Sequence, residues 1–226
     1  LVGEEASFFF VADGESASYI GSAKDYKRVG ENNTGLNTGG MGCISPSPLE
    51  NKKNINTVLK SFIQPTLKVM NTLGYPFKGI LYAGLMFTKK GIYLIEYNVR
   101  LGDPECQSIF SRLESDFLNV CLMTEKKKLN QLDIKIDKRK SLCIVMASKG
   151  YPEEYKTSFK VEGLNHFTDP SIHLYHAGTA LDNQKNIITN GGRVLNLVIK
   201  EKTLADAILK GYNVIKKIKC SNLFFR

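Results

Sequence analysis

The length, composition and charge of the chain indicate a globular protein and argue against several other classes. With 226 residues, 42% of them hydrophobic and 23% charged, the chain can build one large domain or two small ones, so a fibre, a disordered tail or a disulfide scaffold does not fit. The longest apolar runs have the length of a strand, far below the roughly 20 residues that cross a bilayer, and we predict no transmembrane segment and no membrane partner.

The formal net charge of +9 raises the question of a nucleic-acid partner. The lysine runs at 52–53, 126–128 and 216–217 fall in helical or linker stretches, and no aromatic–basic RNA-binding signature accompanies them. We therefore interpret them as solvated faces and predict no nucleic acid, although surplus positive charge would also attract anionic small molecules.

The cysteines and the first residues predict a cytoplasmic protein. The five cysteines are scattered, odd in number and without the Cys-x-x-Cys spacing of zinc sites, so we predict reduced thiols that act as small buried hydrophobes. They are Cys43, Cys106, Cys121, Cys143 and Cys220. The opening segment Leu1 to Glu5 lacks the basic start and apolar stretch of a signal peptide and reads as the middle of a longer chain.

The first part of the chain predicts a hairpin and then a loop. Residues 6–12 and 16–23 read as strands that meet at the turn pair Asp13-Gly14. From Lys24 to Pro48 the periodicity disappears and glycines crowd the segment, so we predict a loop. A long loop without regular structure inside a compact chain is usually functional.

Helical spacing of apolar residues over 55–73 predicts an amphipathic helix, with Pro65 bending it and Gly74 ending it. Residues 79–88 and 92–97 predict a second hairpin, and helical patterning resumes over about 106–122.

The last part of the chain changes character after a polar stretch. We predict a linker over 125–140, preceded by a domain at 1–124 and followed by a small α+β domain at 141–226. Strand-like runs at 142–147, 173–177 and 194–199 precede one helix, which Thr203 and Asp206 begin as a capping box. Its apolar stripe extends from Leu204 to Ile218.

Glu96 and Asn98 form the strongest local clue to chemistry. Residues two apart in a strand project to the same side, so their oxygens converge while Tyr97 points toward the packed face. A carboxylate beside an amide oxygen suits Mg²⁺, which completes its shell with waters and substrate phosphates. Taken alone, such a pair is more often an ordinary solvated strand end, and its context is what favours a metal site.

That context is a dense polar loop directly after the strand. Arg100 is placed to meet negative charge, and Asp103 and Glu105 bracket Pro104, which fixes the backbone between them. A surface loop with a helix beginning at Pro104 is the structural alternative.

The glycine-rich segment 34–42 predicts a nest of backbone amides for phosphate or carboxylate oxygens, although it lacks the Gly-Lys-Ser/Thr ending of a P-loop. Lys24, Lys27 and Arg28 lie just upstream and could supply cations to a triphosphate, or could form an exposed basic strand end.

Together these segments resemble the phosphoribosylamine–glycine ligases, over essentially the whole chain and in the family's order. The matching segments are Leu1 to Ser7, Asp25 to Gly30, Asn37 to Gly42, Leu81 to Leu85, Glu96 to Glu105 and Asn190 to Leu195. The resemblance implies an α+β fold: the second half of an ATP-grasp module followed by a small α+β C-terminal domain. It also implies an enzyme of purine synthesis that uses ATP to join glycine to 5-phosphoribosylamine through a glycyl phosphate, and so gives glycinamide ribonucleotide, ADP and phosphate.

The resemblance assigns roles to the candidate residues. Glu96 and Asn98 would bind Mg²⁺ or Mn²⁺, and Arg100 would stabilise charge as the acyl phosphate forms and breaks. Asp103 and Glu105 would hold the glycine ammonium. The ATP side would be formed by Glu5, Lys27, Arg28, Asn37, Thr38, Gly39 and Gly40.

Departures from the family leave alternatives open. Family members carry a further N-terminal part that is absent here, so we expect a fragment that is inactive alone.

Arg193 would reach a ligand phosphate, or its segment is only a turn held by Gly191-Gly192. Packing or surface roles suit His166, His173 and His176. The rival functions are another ATP-grasp carboxylate–amine ligase or carboxylase, and a non-enzymatic basic nucleic-acid-binding module.

Overall fold

The computed structural model describes residues 1–164 and 167–226, so His166 lies outside the described residues. The chain divides into two compact units. Unit 1 contains residues 1–24, 45–102 and 112–138, and unit 2 contains residues 25–44, 103–111 and 139–226. Most of the predicted linker therefore belongs to unit 1, and the domain boundaries 1–124, 125–140 and 141–226 stay a prediction.

Both units combine antiparallel strands with helices, which confirms the predicted α+β class. The strands are β1 (Glu4–Asp13), β2 (Ala17–Asp25), β3 (Arg28–Gly30), β4 (Thr34–Asn37), β5 (Gly42–Ser45), β6 (Lys78–Thr88), β7 (Gly91–Asn98), β8 (Lys140–Ser148), β9 (Ile172–His176), β10 (Thr179–Leu181), β11 (Ile187–Thr189), β12 (Arg193–Glu201) and β13 (Leu223–Phe224). The α-helices are α1 (Lys52–Val58), α2 (Gln64–Thr72), α3 (Glu105–Arg112), α4 (Phe117–Glu125) and α5 (Leu204–Ile215). A π-helical turn spans Leu59–Ile63, and short 3₁₀ turns span Glu31–Asn33 and Leu129–Gln131.

The sheet of unit 1 has the strand order β7-β6-β1-β2, and both predicted hairpins are confirmed. Alternation along β1 sends Phe8 and Phe10 into one apolar core with residues of the helical segment 52–72. Phe9 lies on the opposite face, where its ring centroid is 4.6 Å from that of Tyr82. Both faces of β1 are therefore covered, which explains its run of phenylalanines.

The predicted helix over 55–73 is two helices joined by the π-helical turn. Asn51 begins α1, because its side-chain oxygen accepts from the amide of Asn54 at 2.8 Å. Pro65 stands in the first turn of α2, where its missing amide donor costs least, and the irregular turn precedes it as predicted for a proline within a helical pattern. Gly74, at φ +83°, follows the end of α2.

The single helix predicted over about 106–122 is wrong, because α3 and α4 are separated by residues 113–116. Leu113 leaves the helix to form an isolated bridge with Ile136. Asp116 then begins α4 by accepting from the amide of Asn119 at 3.0 Å. The apolar spacing runs across this break, so the periodicity alone could not show it.

The sheet of unit 2 has the order β5-β8-β12-β9, with β13 paired to β8. Helix α5 packs on it so closely that a Cβ on Gly211 would lie 3.0 Å from side-chain carbons of Ile144 and Ile199. Thr203 begins α5 as predicted, since its hydroxyl accepts from the amide of Asp206 at 3.1 Å. The predicted stripe was too long, because α5 ends at Ile215 and Ile218 lies beyond it.

The prediction of a loop without regular structure from Lys24 to Pro48 is wrong. This segment contains the small β3–β4 ladder and β5. The residues of β4 are all exposed, so no apolar alternation marked this strand in the sequence. The pair β10–β11 was also missed, and its connecting turn is held by Asp182, whose Oδ1 accepts from the amides of Gln184 and Asn186.

All five cysteines are free thiols. Cys43 and Cys143 are buried, as predicted, whereas Cys106 and Cys220 are only partly buried. Cys121 is exposed and does not act as a buried hydrophobe. Within the two described ranges, none of the helices has both the length and the apolar character needed to span a membrane.

Candidate functional site

The predicted metal pair lies at the end of β7 in unit 1. The amide nitrogen Nδ2 of Asn98 donates to Oε1 of Glu96 at 3.0 Å, so the two side chains converge as their spacing predicts. Tyr97 points to the other side, where it packs against the core and its hydroxyl lies 2.9 Å from Oγ1 of Thr66. Gly84 is paired with Glu96 across the sheet, and a Cβ there would lie 3.3 Å from Cγ of Glu96.

The donor set fits a hard cation with an open coordination shell. It offers one carboxylate and one amide oxygen, and Glu96 is exposed. No group of three or more His, Cys, Asp or Glu side chains that could hold a metal is present in the part of the chain that the structure describes. Two protein oxygens with the remaining positions open suit Mg²⁺, which keeps waters and substrate phosphates as ligands, better than a closed zinc site.

Two further predicted residues belong to unit 1. Arg100 is exposed just after β7, and its Nη1 donates to the carbonyl oxygen of Leu101 at 3.0 Å. Glu5 is exposed near the start of β1, opposite Met86 in the register with β6. Glu5 therefore belongs to the same sheet as the metal pair, and Arg100 lies just beyond the strand that carries it.

The glycine-rich loop of unit 2 uses its amides within the protein. The amide and hydroxyl of Thr38 donate to the carbonyl oxygen of Lys27 at 2.7 and 2.8 Å. The amide of Gly40 donates to Oγ1 of Thr38 at 3.0 Å, and that of Gly39 to the hydroxyl of Tyr151 at 2.9 Å. Because these amides already have acceptors, the role of the loop as an anion nest stays a prediction.

The other predicted ATP-side residues lie around the β3–β4 ladder. Lys27 and Arg28 are exposed, and Nη1 of Arg28 donates to the carbonyl oxygen of Gly35 at 2.8 Å. Asn37, at the end of β4, is exposed as well. The structure thus places these residues on one surface strip of unit 2.

Arg193 is the functional candidate that the sequence described least well. Its Nη1 donates to the carbonyl oxygens of Gly39 at 2.7 Å and Asp103 at 2.6 Å, and its Nη2 donates to Oδ2 of Asp103 at 2.9 Å. The other carboxylate oxygen of Asp103 accepts from Nε2 of Gln107 at 2.8 Å. Asp103 is thus held by two side chains of its own unit, which reduces the basis for predicting that it binds an ammonium group.

Two buried carboxyl groups lie beside this arrangement. Glu105 is only 4% exposed, and Oδ1 of Asp25 is buried without a hydrogen-bond partner. The pKa of Asp25 is raised to about 7, chiefly by burial and secondly by the negative charge of Glu105. Gly40, at φ +115°, leaves room for this carboxyl group, since a Cβ there would lie 2.8 Å from Oδ1 of Asp25 and 2.5 Å from Cδ of Pro104.

The buried cysteines nearby are not nucleophiles. Burial raises the pKa of both the Cys43 and the Cys143 thiols, and the charge of neighbouring carboxyl groups raises it further. A thiol kept protonated at neutral pH is a poor nucleophile and a poor metal ligand. Both cysteines therefore serve packing, as their sequence context indicates.

Tyr151, Asp25 and Gln107 had no local signal as site residues. Tyr151 lies in a stretch without a chemical motif, Asp25 stood out only as a member of the matching segment Asp25 to Gly30, and Gln107 lies two positions beyond the segment Glu96 to Glu105. The partner of Tyr151 is distant in sequence, since Gly39 lies 112 positions before it, whereas Gln107 bonds to Asp103 only 4 positions away.

Comparison with protein families assigns most of the chain. The family model described as phosphoribosylglycinamide synthetase, ATP-grasp (A) domain, matches residues 1–106. The model for the C domain of the same synthetase matches residues 141–226. The two matches flank the segment 107–140.

Curated relatives agree. The phosphoribosylamine–glycine ligase of Vigna unguiculata is 46% identical over 222 residues, which cover 96% of this chain and 71% of the relative. The chloroplastic phosphoribosylamine–glycine ligase of Arabidopsis thaliana is 44% identical over 230 residues, which cover 100% of this chain and 43% of the relative. The chain spans about half the length of most of the curated relatives it matches.

Solved structures show the same fold. The crystal structure of phosphoribosylamine–glycine ligase from Thermotoga maritima superposes with a TM-score of 0.87 at 29% identity and covers 100% of this chain and 55% of that one. The biotin carboxylase subunit of pyruvate carboxylase, at 12% identity and a TM-score of 0.67, covers 97% of this chain and 46% of that one, and shares the fold alone. The chain therefore belongs to the phosphoribosylglycinamide synthetase family, also named phosphoribosylamine–glycine ligase, and has its ATP-grasp fold.

Proposed function

We propose that the complete protein joins glycine to 5-phosphoribosylamine at the expense of ATP, giving glycinamide ribonucleotide, ADP and phosphate in purine biosynthesis. The observation that carries the proposal is the convergent pair Glu96 and Asn98 at a strand end, followed directly by the Arg100 to Glu105 signature. It occurs in a chain that is 46% identical to a relative named for this ligase.

The metal belongs to the ATP side of the reaction. Glu96 and Asn98 would hold Mg²⁺, or Mn²⁺, through one carboxylate and one amide oxygen. A bound Mg²⁺ would neutralise the negative charge of the phosphates. Lys27, Arg28 and the loop residues Asn37, Thr38, Gly39 and Gly40 would meet the nucleotide phosphates, and Glu5 would face the ribose.

The chemistry needs electrostatic stabilisation more than a nucleophilic side chain. An oxygen of the glycine carboxylate attacks the γ-phosphorus of ATP, and ADP leaves. The amine of phosphoribosylamine then attacks the acyl carbon, and phosphate leaves with the oxygen that came from glycine. Arg100, exposed after β7, would stabilise the negative charge that develops in both steps.

The glycine contacts involve the acidic end of the signature. Asp103 and Glu105 remain our candidates for the glycine ammonium, with Asp103 presented in one orientation by the bonds from Arg193 and Gln107. Glu105 contributes negative charge from a nearly buried position. Positioning of both reactants accounts for much of the rate enhancement that such a site can give.

The partners and the cellular location of the enzyme are also part of the proposal. Because the chain spans about half the length of most relatives, the activity is proposed for the complete protein, whose partners would be the three small substrates. A cytoplasmic location suits the five free thiols, and one relative is named as chloroplastic.

The test is phosphate release by the complete protein with Mg-ATP, glycine and freshly made phosphoribosylamine, each omitted in turn. The proposal expects release only when all three are present. Release that accepts another acid or amine in place of glycine or phosphoribosylamine would establish a different carboxylate–amine ligase or a carboxylase. RNA binding that weakens steeply with salt, without any response to Mg-ATP, would favour the basic binding module.

A further inference from the structure

Arg193 connects two segments that carry predicted site residues. Its guanidinium bridges the carbonyl oxygen of Gly39, the carbonyl oxygen of Asp103 and one carboxylate oxygen of Asp103, all within 2.6 to 2.9 Å. The planar fork of an arginine can reach three acceptors in fixed directions, whereas a lysine ammonium on a flexible stem cannot reproduce that pattern. The side chain is only 21% exposed, so the bridge is partly shielded from water.

Tyr151 holds the same residue, Gly39, through its backbone amide. Its hydroxyl accepts from the amide of Gly39, whose carbonyl oxygen accepts from Arg193. The ring of Tyr151 lies against Gly192, where a Cβ would be 2.4 Å from its Cδ2. The glycine next to Arg193 thus lets Tyr151 reach Gly39 together with the arginine.

The absence of a side chain at Gly39 suits this arrangement. A Cβ at Gly39 would lie 3.1 Å from Cζ of Arg193 and 3.3 Å from the hydroxyl of Tyr151. The two side chains therefore close on the bare backbone, and a Cβ at Gly39 would make Arg193 or Tyr151 shift by a few tenths of an ångström.

These contacts distinguish two roles for Arg193. As a phosphate ligand, it would have to exchange its bonds to Asp103 and Gly39 for bonds to the substrate. As a positioning residue, it keeps those bonds and acts through the residues it holds. The carboxylate of Asp103 is fixed by Arg193 on one oxygen and by Gln107 on the other, which matches the second role.

We propose that Arg193, with Tyr151, is a positioning residue of the ligase: it fixes the Gly39-Gly40 turn and the carboxylate of Asp103 in one arrangement. The inference rests on the proposed function. It assigns to residues of the family's C domain a part in arranging the ATP-grasp site, through bonds formed within unit 2.

The test uses the complete protein and the variants Arg193→Met, Arg193→Lys and Tyr151→Phe. Lys210→Met is the matched control, because Lys210 also bridges several oxygens of unit 2, namely those of Asp169, Ser171 and Glu201, at 2.6 Å. Three quantities are measured: kcat, the Kd of glycinamide ribonucleotide as a stable phosphosugar probe, and hydrogen exchange at the amides of residues 39 and 40.

We expect Arg193→Met to lower kcat by about 100-fold, since a displacement of about 1 Å can cost that much. The Kd of the phosphosugar should change by less than about 3-fold, because no direct contact is lost. Exchange at residues 39 and 40 should accelerate in Arg193→Met and Tyr151→Phe but not in Lys210→Met. Arg193→Lys should fall between Arg193→Met and the parent in kcat.

Either of two results would overturn the inference: an unchanged kcat in Arg193→Met, or a kcat retained at saturation with a Kd weakened by tenfold or more, which identifies a phosphate ligand. Failure of the proposed function looks different, since the folded parent would then release no glycine-dependent phosphate. In that case the exchange rates still decide whether Arg193 holds the turn.

Discussion

The two groups of candidate residues are built in opposite ways. Glu96 and Asn98 are neighbours on one strand, and their convergence follows from strand geometry within three residues. The bonds of Arg193 join residues 90 and 154 positions apart, so they exist only in the folded unit 2. A local site can be read from sequence, whereas a long-range one requires the fold.

The difference extends to what each group does for the protein. Glu96 is exposed, so its loss should affect chemistry and leave folding almost unchanged. Gly40, Asp25 and Asp103 are bonded or packed among segments that are distant in sequence, so changes there should affect stability as well. The predictions below separate these two behaviours.

The largest expected effect is on activity at the local pair. Glu96→Ala removes the carboxylate of the proposed metal site, and a bound metal would contribute several kcal/mol to stabilising charge in such a reaction, so kcat/KM should fall by at least about 100-fold. Steady-state phosphate release by the complete protein measures this loss. Glu125→Ala, which removes an exposed carboxylate of the same unit, should leave kcat/KM unchanged. A Glu96→Ala variant with full activity would contradict the proposal that Glu96 and Asn98 bind the metal.

Substitutions at Gly40, which is packed among segments distant in sequence, should lower the stability of the fold. Gly40→Ala forces a side chain into φ +115° and against Pro104 and Asp25, which should lower the free energy of unfolding by about 3 kcal/mol. Gly74→Ala has the same kind of backbone, at φ +83°, but an added Cβ meets nothing within 4 Å and should cost about 1 kcal/mol. Urea unfolding of both variants measures the difference between these two losses in the free energy of unfolding. Equal losses would show that the contacts around Gly40 contribute nothing to the destabilisation.

Asp25 should make stability depend on pH. Its pKa is raised to about 7, so between about pH 4 and pH 7 the native state keeps a proton that the unfolded state has lost. The stability contributed by this proton is full below about pH 4 and is lost as pH rises through 7. Asp25→Asn mimics the protonated form and does not lose this stability. As the pH rises from 5 to 8, the free energy of unfolding of the variant should therefore increase relative to that of the parent by on the order of 2 kcal/mol.

Melting temperatures at pH 5 and pH 8 test this prediction for Asp25. Asp182→Asn is the control, because hydrogen bonds from Asn186 lower the pKa of Asp182 and its contribution is lost only as pH falls. That variant should show no change relative to the parent between pH 5 and pH 8. A constant difference between Asp25→Asn and the parent over the same range would contradict a proton held at Asp25.

The smallest effect belongs to a local feature of unit 2. Thr203→Ala removes the hydroxyl that accepts from the amide of Asp206 at the start of α5, which should cost about 1 kcal/mol. Thr203→Ser keeps that hydroxyl and should cost less, as thermal unfolding of the two variants would show. A cost of several kcal/mol for Thr203→Ala would mean that this cap is coupled to the rest of unit 2.

The same division explains what the sequence could predict. Both hairpins, the strands β8, β9 and β12, and the cap of α5 were predicted from patterns only a few residues long. The break between α3 and α4 was missed, because it depends on Leu113 pairing with Ile136. The β3–β4 ladder was missed because its exposed residues need no apolar alternation.

The candidate site divides in the same manner. The pair Glu96 and Asn98 was identified from spacing and then given meaning by family resemblance. The bonds from Arg193 and Tyr151 to Gly39 have no short-range signature, and neither does the buried carboxyl group of Asp25. Such residues are recognised only when the fold shows which distant segments they join.

The most direct test of the account follows an oxygen atom. The complete protein would be given Mg-ATP, phosphoribosylamine and glycine labelled with ¹⁸O in its carboxyl group, and the released phosphate analysed by mass. Activation of glycine as an acyl phosphate predicts one ¹⁸O in each phosphate, because the carboxyl oxygen that attacks ATP leaves with phosphorus. Phosphate without ¹⁸O would mean that water, and not the glycine carboxylate, attacks ATP, and would contradict the proposed ligase.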